Sequence, residues 1–102
     1  MIPKEIKIGG HIYKVVYPYT FTERQDAIGQ CNNEILEIRI SEMDQGGHKI
    51  PDSSIMVTFI HEVLHAIDYR TGHCVFENDE NAIDGIANML FQVLLDNGMV
   101  TI

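Results

Sequence analysis

The chain has 102 residues, 45% of them hydrophobic, and a formal net charge of −8. That length builds one domain and little more, and the acidic balance argues against nucleic acid or an anionic membrane as the main partner. No stretch approaches the roughly 20 apolar residues of a membrane span.

The opening residues, MIPKEIKIGG, lack the apolar core of a secretory signal, and Cys31 and Cys74 show no CxxC spacing. The expectation is one cytoplasmic domain, residues 1–102, with reduced thiols. Residues 4–8, KEIKI, and 11–17, HIYKVVY, flank Gly9-Gly10, a pair suited to a tight hairpin turn. Residues 19–29 lack a clear period and are expected to hold a loop and a short helical turn. The segment GQCNN, 29–33, reads as a strand with Asn32-Asn33 as its turn. In EILEIRI, 34–40, Leu36, Ile38 and Ile40 alternate with Glu37 and Arg39, which predicts a strand; Ile35 falls on its polar face. Residues 44–53, DQGGHKIPDS, are turn-forming, and Pro51 with Asp52 or Ser53 marks a helix start. A first helix is predicted to about Tyr69, with Gly72 as its stop. After a loop over 70–78, Asn78 or Asp79 caps a second helix that lasts to about Asn97, before Gly98. Strands followed by two helices predict an α+β fold, a small, mainly antiparallel sheet packed with two long helices.

The first helix carries TFIHEVLHAIDY, residues 58–69, where His61, Glu62 and His65 interrupt an apolar run. Burying unpaired polar groups is costly, so these three need a reason to be there. Two histidines four residues apart project from one helix face about a turn apart, and can grip one metal ion. Glu62 is about 100° round the helix, beside such an ion rather than on it. This is the HExxH pattern, here HEVLH. Zinc takes neutral imidazole nitrogen and lowers the pKa of a bound water to about 7. A neighbouring carboxylate can accept that water's proton and pass it to a leaving amine.

A catalytic zinc needs a third protein ligand. On the second helix, positions 80, 83, 84, 87, 90, 91 and 94 form one stripe: Glu80, Ile83, Asp84, Ala87, Leu90, Phe91 and Leu94. It is a core-facing stripe with two acids at its start, and like charges at i,i+4 repel. A cation between them removes the conflict. Glu80 is therefore expected as the third ligand. Asp84 is expected to accept the N–H of a liganding histidine, which fixes that ring's tautomer. The small Ala87 lets the helices approach closely.

HEVLH followed by ENAID on a second helix resembles the gluzincin branch of zinc metallopeptidases, in which a glutamate from an ExxxD segment joins an HExxH helix. Over roughly residues 28–98 the order of segments also resembles the very small metallopeptidase-like proteins of bacteriophages and prophages, and the size is similar to that of the minigluzincins. The resemblance implies a zincin-like minimal metallopeptidase: Zn2+ on His61, His65 and Glu80, Glu62 as general base and acid, and Asp84 supporting His61. It further implies a peptide or protein substrate lying along a sheet edge, assigned to residues 34–41. The gap from His65 to Glu80 is shorter than in the large enzymes, and no second subdomain walls the cleft. Tyr69, His73 and His48 are the candidates for steadying an oxyanion. Metzincins continue with Gly and a third His where this chain has Asp68 and Thr71, although Asp68 does share the face of His61 and His65. Cys31, upstream of the helix, would be a ligand in a deformylase-like site; without that family's glycine-rich and glutamine motifs it reads as a small buried hydrophobe. Two other readings stand beside the peptidase. One is a non-catalytic, zinc-stabilised interaction or regulatory protein of a mobile element, which has no use for Glu62. The other is a latent peptidase whose terminal MVTI or loop 42–52 covers the cleft.

Overall fold

In a computed structural model that describes residues 2–22, 27–77 and 79–101, Gly9 and Gly10 turn the first strand back on the second. Both take positive φ, 57° and 81°, as a two-residue hairpin turn requires and as glycine adopts without steric cost. The strands are β1, Glu5–Ile8, and β2, His11–Val16. A second antiparallel pair joins β3, Gly29–Asn32, to β4, Glu37–Ile40. The strand expected over 34–40 thus begins only at Glu37. The Asn32 side chain accepts hydrogen bonds from the backbone N–H groups of Glu34 and Ile35, and Leu36 takes φ 56°, so residues 33–36 form the turn. Ile35 is accordingly an exposed turn residue, while Ile38 and Ile40 point inward and are fully buried.

The two hairpins meet through a parallel ladder between β2 and β4, which gives the order β1-β2-β4-β3. The sheet is mixed: two of its pairings are antiparallel and the central one is parallel. This order corrects the substrate edge assigned to 34–41. Residues 33–36 are turn, and β4 is hydrogen-bonded on both sides, so its backbone has no free edge. The edge strands are β1 and β3. Of the loop and helical turn expected over 19–29, residues 23–26 lie outside the described residues, as does Asn78, one of the two proposed helix caps.

Helix α1, Asp52–Thr71, starts after Pro51 and ends on Gly72 in the left-handed conformation. It is buried along two stripes. Ile55, Phe59 and Ala66 join Tyr13, Val15, Ile38 and Ile40 of the sheet in one core. Met56 and Ile60 join Ala87 and Phe91 in a second. Each Ile, Val, Phe or Met among them contributes roughly 1.5–3 kcal/mol when fully buried. Helix α2, Glu80–Asp96, is capped by Asp79, whose side chain accepts from the Ala82 N–H. Among the elements, α2 packs on α1 alone. With one neighbour only, its buried stripe is narrow: Ile83, Ala87 and Phe91 are covered, but Leu90, expected on the same stripe, is exposed with Ile86, Met89 and Val93 on the outer face. Among the described residues, no helix is long and apolar enough to cross a membrane.

Candidate metal centre

Between the two buried stripes of α1 runs a third, formed by His61, His65 and Asp68, which faces the start of α2. Glu80, the first residue of α2, reaches across to both histidines. Its Oε2 lies 2.6 Å from His61 Nε2 and its Oε1 lies 2.9 Å from His65 Nε2. The ligand atoms of the three residues all lie within 4.8 Å of one another. On the other side of the His61 ring, Nδ1 faces Asp84 Oδ1 at 3.4 Å, long for a hydrogen bond. His61 is therefore spanned by two carboxylates one helical turn apart on α2. The structure brings together His61, His65, Glu80 and Asp84, the residues singled out on the two helices.

The donor set suits a divalent cation. Two imidazoles and a carboxylate, with a further position left for water, are what a catalytic zinc takes. Tetrahedral ligands at about 2.0–2.1 Å from zinc stand about 3.3 Å apart, so the carboxylate, at 2.6 and 2.9 Å from the two nitrogens, would have to draw back to admit one. Glu80 can make that movement, since its side chain is 61% exposed while those of His61 and His65 are 15% and 22% exposed.

Glu62 belongs to the sheet-facing stripe of α1, spaced 55-59-62-66, and is only 7% exposed. It can enter the core because Gly29 of β3 lies opposite. A Cβ on Gly29 would stand 2.8 Å from Glu62 Oε2 and 2.6 Å from Thr58 Cγ2. The Glu62 side chain helps to line two cavities. The larger, a cleft of about 590 Å³, also includes Gly29, Cys31, His65, Asp68, Tyr69 and Glu80 in its wall. The smaller, about 220 Å³, includes Gly29, Thr58, His61, Glu80 and Asp84. The backbone of edge strand β3 thus borders both. Among the described residues, Glu62, Asp68, Glu77 and Glu80 line the larger cleft and no lysine or arginine does, a surface whose charge favours a cation.

The remaining candidates separate. Of the three possible oxyanion groups, Tyr69 lines the cleft; His73 and His48 do not, and His48 Nδ1 lies 3.3 Å from Asp44 Oδ1. Loop 42–52 and residues 99–101, the segments named for a latent form, are not among the described residues of the cleft wall; Ile102 lies outside the described residues. Cys31 is half-buried and not part of the ligand group. Burial pushes its thiol up to about 12, the Glu62 charge adds to the rise and Arg70 opposes it, and Cys31 Sγ contacts Asn33 Oδ1 at 3.5 Å. Cys74 is exposed.

Three features were missed from sequence. Gly29 makes room for Glu62, and a lone glycine at the start of a strand is the signal that could have found it. Asp68 accepts hydrogen bonds from the loop between the helices and is not simply a solvated acid. Arg70 donates to the Tyr13 hydroxyl and to the Asn33 carbonyl, each at 2.8 Å, and so ties the end of α1 to β2 and to the β3–β4 turn; that network has no local sequence signal. Compared with known protein families, curated proteins and solved structures, the chain finds no match.

Proposed function

We propose that this chain is a minimal zinc-dependent peptidase of gluzincin type. The observation that carries the reading is the convergence of His61 Nε2, His65 Nε2 and the Glu80 carboxylate beside a cleft that also holds the buried Glu62. A zinc ion bound there supplies Lewis acidity toward a peptide carbonyl and lowers the pKa of water to about 7. The protein's residues do the rest. His61 and His65 hold the ion as neutral imidazoles, and Asp84 faces the Nδ1–H of His61 as its hydrogen-bond acceptor, which leaves Nε2 free to ligate. Glu80 offsets part of the ion's charge. A Glu62 carboxylate oxygen takes a proton from the attacking water and delivers it to the leaving nitrogen. Tyr69, one turn beyond His65, is the phenol in the cleft that can donate to a developing oxyanion. An extended substrate pairs with the outer edge of β3, whose residues Gly29, Gln30 and Cys31 line the cleft.

One observation favours a second reading, a non-catalytic zinc module. The ligands join α2 to α1, and α2 has no other element to pack on. A metal there would staple a small fold. The two readings part at Glu62, which a structural site does not use. The test pairs metal analysis with peptide cleavage. The expected result is one zinc per chain in wild type and in Glu62→Gln, with less in His61→Ala, His65→Ala and Glu80→Ala. Glu62→Gln should then lose about 10²–10⁴ in cleavage rate on a mixed peptide library. Equal cleavage by wild type and Glu62→Gln would sink the peptidase mechanism, and zinc-loaded protein that cleaves nothing would favour the module.

A further inference from the structure

The helix that carries the two histidines also carries Asp68, whose carboxylate is bonded to the loop between the helices. Asp68 follows His65 by three residues and stands on the same face of α1. Its Oδ1 accepts from the Val75 N–H at 2.6 Å and its Oδ2 from the Phe76 N–H at 3.3 Å. The Phe76 carbonyl in turn accepts from the Asp79 N–H at 2.6 Å. Asp79 is the cap of α2, and Glu80 is the helix's first residue. One short chain of bonds thus runs from the Asp68 carboxylate to the backbone that presents Glu80.

The loop needs such a hold. Cys74 and Glu77 take positive φ, 49° and 47°, without being glycine, a conformation that costs energy and persists only where neighbours impose it. A carboxylate accepting two successive N–H groups makes charge-assisted bonds, stronger than those of a neutral acceptor. Among the described elements, α2 packs on α1 alone.

We propose that Asp68 is a positioning residue of the metal centre: by clamping the loop between the helices it registers Glu80 against His61 and His65. The proposal rests on the ligand reading above. It makes affinity for the metal depend on a carboxylate that does not touch the ion.

The experiment measures zinc Kd on the full chain by competition with a chromophoric chelator, and records the absorption spectrum of the cobalt(II) form. The variants are Asp68→Ala, Asp68→Asn, Glu80→Ala and the Asp68→Ala/Glu80→Ala double. Loss of a partner outside the ligand set commonly weakens metal binding about 10–100-fold, and that is the loss expected for Asp68→Ala. Asp68→Asn keeps one acceptor oxygen and should lose less. The cobalt spectrum of Asp68→Ala should move toward that of Glu80→Ala. Because Asp68 acts through Glu80, the double variant should bind no more weakly than Glu80→Ala. Wild-type affinity in Asp68→Ala overturns the proposal, and so does a double variant weaker than Glu80→Ala by the whole factor of the single change. If Asp68→Ala does not fold, Asp68→Asn carries the test, and unchanged affinity in that folded variant overturns it. Wild-type affinity in Glu80→Ala overturns the ligand reading itself, whereas a weakened Glu80→Ala beside an unchanged Asp68→Ala removes only the clamp.

Discussion

Replacing Gly29 by alanine adds one methyl group where β3 presses on α1. The new Cβ would lie 2.6 Å from Thr58 Cγ2, 2.8 Å from Glu62 Oε2 and 3.3 Å from Glu62 Cγ. Non-bonded carbons rest at about 3.5–4.0 Å, so something must move by about 1 Å. Thr58 is not free to rotate without loss, since its hydroxyl donates to the Ser54 carbonyl at 2.9 Å. Glu62 is buried, and its carboxylate can retreat only by swinging into the cavities that it lines. Either β3 lifts from the helix or the Glu62 carboxylate is displaced. Overpacking of this kind costs about 1–3 kcal/mol. With a urea slope of about 1–3 kcal/mol/M for a small protein, the unfolding midpoint should fall by about 1 M. Zinc content should hold, because none of the proposed ligands meets the new methyl group. If Glu62 is the base, a displacement of about 1 Å should lower cleavage about 10²-fold. Adding Thr58→Ser removes the methyl of the first clash, so the double variant should regain stability while remaining slow. Urea melts followed by circular dichroism, metal analysis and peptide cleavage read the three quantities. Gly29→Ala as stable as wild type would refute the packing, and a double variant that recovers both stability and rate would refute the role given to Glu62.

Two further outcomes follow from the geometry. Asp84→Asn should weaken zinc binding by about tenfold, the lower end of the range for such partners, because its contact with His61 is long at 3.4 Å; unchanged affinity in the competition assay would remove Asp84 from the site. At pH 8 a thiol pushed up to about 12 is almost wholly protonated, with a thiolate fraction of roughly 10⁻⁴, so a thiol-specific disulfide reagent should modify exposed Cys74 first and Cys31 only slowly; two equal fast phases would contradict the burial.

Much of the fold was legible because its local signals agree with its tertiary demands. Gly9-Gly10 between two alternating segments gives the first hairpin, and Pro51, Gly72 and Asp79 bound the helices close to where they were read. The misreadings share a cause. Residues 34–36 lead into an alternating segment, but Asn32 captures the backbone N–H groups of Glu34 and Ile35, and a turn formed by a side chain leaves little trace in hydropathy. Strand order is set by which hairpins dock side by side, so the parallel β2–β4 ladder, and with it the identity of the edge strand, could not be taken from spacing. On the helices, spacing alone placed His61, His65, Glu80 and Asp84 on facing stripes, since a period of 3.6 fixes faces directly. The groups that support them, Gly29 and Asp68, act across elements or upon a loop, and periodicity is silent about both.

The metal's effect on stability should be uneven across this fold. The sheet and α1 share one core, built on Tyr13, Ile38, Ile40, Ile55 and Phe59, which involves none of the ligands. Helix α2 rests on the smaller core around Met56, Ile60, Ala87 and Phe91, and Glu80 is the ligand that it contributes. A metal bound between the helices therefore opposes the undocking of α2 before it opposes global unfolding. With free zinc at a hundred times its Kd, that term is about 2.7 kcal/mol, or about 100-fold in the opening equilibrium. Chelation should lower the melting temperature, and in hydrogen exchange it should cost α2 amides up to about 100-fold in protection. Amides of β2 and β4, which exchange through openings that do not need α2 to detach, should lose less. Equal loss in the sheet and in α2 would mean that the two cores unfold as one. Unchanged exchange everywhere, with the metal shown to be removed, would mean that apolar packing alone docks α2 and that the ligands do not staple it.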